Sequence, residues 1–161
     1  MQEHERKFLP KGEIDLTDHK TTFESIRQKY IMMDGKKLLR VRKSQAGLKV
    51  DCYLTFKEKI SESACIEIEK PISEDEYYAL TSEFPELWKH RYTIYFDGEV
   101  LWTLDVFKSG PMKGKCLIEG EALNHKLTDI NNIALPEFCG EEVTDNPEWK
   151  NINMVIHDGN S

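Results

Sequence analysis

The stretch "MQEHERKFLP", residues 1–10, decides the fold, because Glu3, Glu5 and Lys7 fall on alternate positions within it. In a β-strand successive side chains point to opposite faces, so two carboxylates and an ammonium line up on one side. His4 and Arg6 then belong to the other side, and a slip of one residue would exchange the two sets. A strand with such a face needs neighbours that make use of it.

The rest of the chain supplies them. "LRVRK" places Arg40 and Arg42 two apart, "IEIEK" does the same with Glu67 and Glu69, "KHRY" with Lys89 and Arg91, and "IEGEA" with Glu119 and Glu121. Lys57 in "YLTFK" and Asp105 in "TLDVF" add single members. The positions between them are largely apolar: Leu39, Val41, Leu54, Phe56, Ile66, Ile68, Leu104 and Val106. An ordinary solvated face mixes Ser, Thr, Gln and Lys. Here the polar face is almost all Glu, Arg or Lys, and the signs are segregated by strand.

Eight segments combine β-branched or aromatic residues with period-2 patterning: residues 3–9, 25–32, 37–44, 49–58, 64–71, 90–98, 100–109 and 115–123. Turn signals separate them, including "MDGKK", "SQAG", "FDGE" and "SGPMKG". The order is mostly that of hairpins, so the expected fold is α+β but mainly β, an eight-stranded antiparallel closed barrel with flanking helices. In such a barrel the apolar set cannot pack inside a charged lumen. It must face outward under the helices, leaving a charged tunnel. One helix is expected from Ser73, which with Glu76 forms a capping box, until Pro85 stops it. A second is read in residues 124–135, and a third in 146–157, opening with Pro147 in its first turn.

With 161 residues the chain fits one domain, taken here as residues 1–161. A formal net charge of −7 argues against a nucleic-acid binder, which needs excess Lys and Arg to displace counterions. There is no run of about 18 apolar residues and no apolar stretch near the start, so a cytoplasmic protein with no membrane partner is expected. Its four cysteines, Cys52, Cys65, Cys116 and Cys139, include no C-x-x-C pair and read as reduced thiols.

A tunnel built this way sets seven carboxylates, Glu3, Glu5, Glu67, Glu69, Asp105, Glu119 and Glu121, against six cations, Lys7, Arg40, Arg42, Lys57, Lys89 and Arg91. At an effective dielectric near 20, two like charges about 5.5 Å apart repel by roughly 3 kcal/mol. The glutamates therefore call for a counter-ion, and carboxylates without Cys or His partners suit Mg²⁺ or Mn²⁺. The cations call for a polyanion, since Arg and Lys together suit phosphate oxygens. A metal-bound phosphate chain satisfies both walls.

The ordered set E-x-E-x-K, R-x-R, a strand ending in Lys, E-x-E, K-x-R and a late E-x-E resembles the CYTH superfamily, also called triphosphate tunnel metalloenzymes. The likeness runs from "HERKFL" to "FCGEEVTDNPEWKN". Through "ERKFL", "IRQKYI", "LDVF", "GEEVT" and "WKN" the chain is most similar to the short bacterial tripolyphosphatase type. The resemblance implies that Glu3, Glu5, Glu119 and Glu121 hold one or two divalent metals, joined by Asp105, Glu67 and Glu69. It implies that Lys7, Arg40, Arg42, Lys57, Lys89 and Arg91 grip the phosphates, and that Tyr30 matches a tyrosine often assigned as proton acceptor. Glu5, Lys7 and Tyr30 are the candidate catalytic residues. The chain departs from the pattern at Gly120, where an apolar residue is common, at His4, an outward position often aliphatic, and in the slightly longer stretch from Lys57 to Glu67.

The expected activity is metal-dependent hydrolysis of inorganic tripolyphosphate to diphosphate and phosphate, by a monomer or homodimer. Nucleoside or thiamine triphosphate is an alternative substrate, for which Trp88, Tyr92, Tyr95 and Trp102 could stack a base. An adenylyl cyclase of the same fold is another reading. A non-catalytic module that binds polyphosphate or nucleotide is the rival of a different class.

Overall fold

A computed structural model describes residues 2–96 and 98–159, with side chains of the last helix as far as Val155. Asp97, in the turn read as "FDGE", lies outside the described residues. Nine strands form one antiparallel sheet: β1 (Gln2–Pro10), β2 (Lys20–Asp34), β3 (Lys37–Ala46), β4 (Lys49–Lys59), β5 (Ala64–Ile72), β6 (Leu87–Tyr95), β7 (Val100–Phe107), β8 (Cys116–Ala122) and β9 (Cys139–Glu142). Their order is β5-β4-β3-β2-β6-β7-β8-β1-β9, and β5 also pairs with β1, closing eight of them into a barrel. The eight expected strands are all present, with β2 beginning earlier than its apolar pattern. The ninth, too short to announce itself by alternation, lies along the outer part of β1.

The closure is lopsided. One edge of β1 pairs with β8 through Glu5–Phe8. The other edge is shared, with β5 taking Gln2, Glu3 and His4 and β9 taking Phe8 and Pro10. Between those two, the Glu5 amide donates to the Ser63 carbonyl at 2.9 Å and the Lys7 amide to Thr144 Oγ1 at 3.0 Å. The seam therefore leaves these backbone donors satisfied without a continuous ladder.

The apolar outer faces are covered in two places. Helix α1 (Glu74–Thr81) starts at its Ser73 cap with both capping-box hydrogen bonds made, and lays Tyr77 against Val41 and Cys52. The loops before β2 and after β8 cover Phe8, Ile94, Trp102, Leu104 and Ile118 with Ile14, Leu16, Ile133 and Phe138. Cover stops short of β5, where Ile66 and Ile68 stay 41% and 62% exposed, because α1 has only eight residues and packs on β2 to β4.

Residues 124–135 do not form the expected helix; a single 3-10 turn, Ile130–Asn132, is all that appears. Asn124 and Asp129 turn their side chains back onto nearby backbone amides, the local bonding that competes with helix, and Leu123, Leu127 and Leu135 give no continuous buried stripe. The C-terminal segment opens with a 3-10 turn, Pro147–Trp149, followed by α2 (Asn151–Gly159). Among the described residues no helix is long and apolar enough to cross a membrane.

Candidate active site

The closed strand order turns an alternation of charges into two walls. Strands β8, β1 and β5 are consecutive around the barrel and carry Glu119, Glu121, Glu3, Glu5, Glu67 and Glu69. Strands β4, β3, β2 and β6 complete the other side with Lys57, Arg40, Arg42, Lys89 and Arg91. Register sets which side chains share a level: Glu5 is opposite Glu121, Lys7 opposite Glu119, Lys57 opposite Glu67, and Thr55 opposite Glu69. The longer Lys57 to Glu67 connection leaves that register intact, its turn tied by Ile60 and Ser61 amides to the Ala64 carbonyl.

These side chains line one cavity of ≈ 470 Å³, together with Tyr30, Lys150, Asn151 and neighbours from the 59–65 turn. Of the sequence-derived set only Asp105 is absent from its lining. Asp105 is fully buried and spent on two cations, accepting from Lys89 Nζ at 2.7 Å and from Arg91 Nε and Nη2 at 2.7 and 2.9 Å. Burial alone would raise its carboxyl; Arg91 and Lys89 overcome that and hold it well below the usual carboxylate range. Its place in the structure is that of a clamp beneath the basic wall.

The basic wall is crowded. Burial, then Arg40 and Arg91, push the Arg42 guanidinium down to about 9. Lys89, only 1% exposed, is pulled down to about 7 by burial and by Arg91 and Arg42, against the attraction of Asp105. Arg40 is buried with its Nε unpartnered. An orphaned guanidinium donor costs free energy until an anion meets it. On the opposite side, burial with Glu3 and Glu5 raises the Glu121 carboxyl to about 7. Glu3 and Glu67 hold Lys57 at 3.1 and 3.3 Å, and with Glu5 they keep its ammonium charged despite burial and Arg40. Lys7 sits between the walls, 3.9 Å from both Glu5 and Glu119.

The donor set fits a hard divalent cation: carboxylate oxygens dominate the arc, beside the Cys65 thiol that donates to Glu3 at 3.7 Å, and Lys57 does not offset the burial and the neighbouring Glu3 and Glu5 that hold Glu121 above the usual carboxylate range. Among the described residues no three acidic, His or Cys side chains close on a single point, since the nearest cations hold them apart.

One end of the lumen turns apolar. Beyond Lys7, Lys89 and Glu119 the same strand faces present Leu9, Leu87, Phe107 and Leu117, against which Val143, Trp149, Met154 and Val155 pack. Asn151, at the start of α2, accepts from Lys89 Nζ at 3.1 Å. The C-terminal segment thus covers this end. The aromatic residues that could stack a base are elsewhere: Trp102 is in the outer core, and neither it nor Trp88, Tyr92 or Tyr95 lines the cavity. Outside the barrel His4 stacks on His125, ring centres 4.8 Å apart. Gly120 has a packing reason, since a Cβ there would stand 2.7 Å from the Trp102 ring. Sequence reasoning missed Gln28, a fully buried amide in contact with Tyr30 and Arg42, because an amide among charges leaves no signature.

No family model matches the chain. The chain is 32% identical over 161 residues to a protein of Acetivibrio thermocellus named inorganic triphosphatase, covering 96% of this chain and 93% of that one. A crystal structure of an inorganic triphosphatase is 26% identical, with 96% of this chain and 93% of that chain covered and a TM-score of 0.57. A Pyrococcus horikoshii structure shares the fold, at 24% identity, a TM-score of 0.60, and coverage of 76% and 78%.

Proposed function

The chain belongs to the triphosphate tunnel metalloenzymes of the CYTH superfamily, and on that footing we propose that it hydrolyses inorganic triphosphate to diphosphate and phosphate with a divalent metal. The observation that carries the reading is the division of one closed lumen into an acidic and a basic arc, with a buried Arg40 Nε unpartnered on one and a crowded glutamate cluster on the other. A slim linear chain fits a cavity of ≈ 470 Å³ whose lining contains none of the four aromatic side chains a base could stack on.

In this reading Glu3, Glu5, Glu67, Glu69, Glu119 and Glu121 would hold one or two ions, Mg²⁺ or Mn²⁺. Such an ion neutralises charge on the phosphate oxygens and polarises water. Asp105 is assigned instead to fixing Lys89 and Arg91 in place. Lys7, Arg40, Arg42, Lys57, Lys89 and Arg91 bind the chain and stabilise charge as it develops. Water attacks the terminal phosphorus in line, its proton passes to Glu5, and the bridging P–O bond breaks. The diphosphate leaves with its new charge facing the basic wall. A pure anion receptor has no use for the acidic arc, which is why hydrolysis is preferred over a binding module.

The test is phosphate release by the purified protein from tripolyphosphate, ATP and thiamine triphosphate, with Mg²⁺, Mn²⁺ or EDTA. Release from tripolyphosphate that needs metal and is lost in Glu5→Gln is expected. Tight binding without turnover of any substrate would sink the proposal, and cyclic AMP from ATP would replace it by a cyclase.

A further inference from the structure

Tyr30 lines the cavity with its ring packed on the apolar end cluster, and its hydroxyl touches Gln28. Which of the two donates is settled by their neighbours. Gln28 is 0% exposed, and its Oε1 lies 3.1 Å from Arg42 Nε. An Arg nitrogen can only donate, so that atom must be the amide oxygen. The other end of the amide is therefore NH₂. It lies 2.8 Å from Tyr30 Oη and 3.5 Å from Asn151 Oδ1. Asn151 is fixed by the same logic, because the atom facing Lys89 Nζ at 3.1 Å must be its oxygen. Flipping Gln28 would set two donors against each other at Arg42 and two oxygens against each other at Asn151.

We propose that Gln28 is a positioning residue: pinned by Arg42 and Asn151, it donates to Tyr30 and so turns the tyrosine hydroxyl proton into the cavity, as a donor to a phosphate oxygen. The proposal rests on the reading of this cavity as a triphosphate site. The cations Arg40, Arg42, Lys57 and Lys7 act on the Tyr30 hydroxyl, and all of them can only donate. Among the described residues no side chain accepts a hydrogen bond from this hydroxyl, and an incoming anionic oxygen would be its acceptor. The arrangement assigns Tyr30 the opposite role to the proton acceptor its family likeness implies, and burial agrees by raising its phenol above the ordinary value.

Tripolyphosphate binding is measured by calorimetry in EDTA, so that turnover plays no part, for the native protein, Tyr30→Phe, Gln28→Glu and the double variant. Tyr30→Phe is expected to weaken binding roughly 10-fold or more, the loss typical of a hydrogen bond to a charged group. In Gln28→Glu the carboxylate accepts the phenol proton and turns it away, so adding Tyr30→Phe should cost less than about twofold. Equal losses in both backgrounds would overturn the proposal, as would an unchanged affinity in Tyr30→Phe. If Gln28→Glu does not fold, 3-fluorotyrosine at position 30 gives the answer: a more acidic donor binds as tightly or more so, whereas weaker binding overturns the assignment. Binding with the expected coupling but no metal-dependent turnover refutes the hydrolase alone; turnover without coupling refutes the role of Gln28 alone. No tripolyphosphate binding by the native protein in EDTA overturns the role of Gln28, and with no metal-dependent turnover besides it overturns both.

Discussion

Asp105→Asn removes one charge and keeps the shape of the side chain, which isolates the clamp under the basic wall. At 2.7 Å and an effective dielectric near 20, the attraction of Asp105 for each of its cations is about 6 kcal/mol. The measurable loss is smaller, because the orphaned groups adjust. Lys89 is already pulled down to about 7 by burial with its partner present, so at pH 8 it is mostly neutral in both proteins and keeps Asn151 as its polar contact. Arg91 cannot become neutral, and keeps Glu119 at 3.8 Å and the attraction of Glu24. Breaking a buried pair from one side typically costs about 3–5 kcal/mol, and that is the loss expected here in urea unfolding at pH 8. Mn²⁺ affinity, followed in the same samples, should change less than it does in Glu121→Gln, since Asp105 points at cations and not into the lumen. An unfolding free energy within about 1 kcal/mol of native, or a larger Mn²⁺ defect than that of Glu121→Gln, would refute the clamp.

Because Glu121 is raised from 4.5 to about 7, the metal-free fold holds this proton more tightly than the unfolded chain does. Its stability should therefore fall as pH rises from 4.5 to about 7, by as much as about 3 kcal/mol, read in urea titrations that Glu121→Gln would flatten. Divalent metal binding should strengthen over the same rise and release close to one proton per ion at pH 6, detected with an indicator dye and absent in Glu121→Gln. Trp149→Ala empties the apolar plug formed with Leu87, Phe107 and Leu117, and should cost about 3–5 kcal/mol in the same unfolding assay. Gly120→Ala drives a methyl group to 2.7 Å from Trp102 and should destabilise by about 1–3 kcal/mol, with the indole fluorescence reporting its displacement.

Alternation is a local property, and the sequence alone determined whatever depends on it. Glu3, Glu5 and Lys7 share a face because backbone geometry leaves no other choice, and the same holds for each charged pair that follows. The Ser73 capping box is equally local, its partner only three residues away. From these came the strands, the charged lumen and thirteen candidate charged residues, of which all but Asp105 line the cavity. Tertiary structure decided what depends on non-local register. Asp105 carries the same alternation signal as the glutamates, yet cross-strand pairing with Arg91 drops it beneath the basic wall. The contiguity of β8, β1 and β5, which gathers the carboxylates on one arc, rests on four residue pairs joining β1 to β8, more than a hundred residues away, and three joining it to β5, about sixty away. The covering of one lumen end by Trp149 and Met154 depends on Leu87, Phe107 and Leu117 of earlier strands, and the Gln28 amide that orients Tyr30 is pinned by Arg42, 14 residues on, and Asn151, 123 residues on. Side-chain direction is fixed residue by residue, whereas a partner exists only once the barrel has closed.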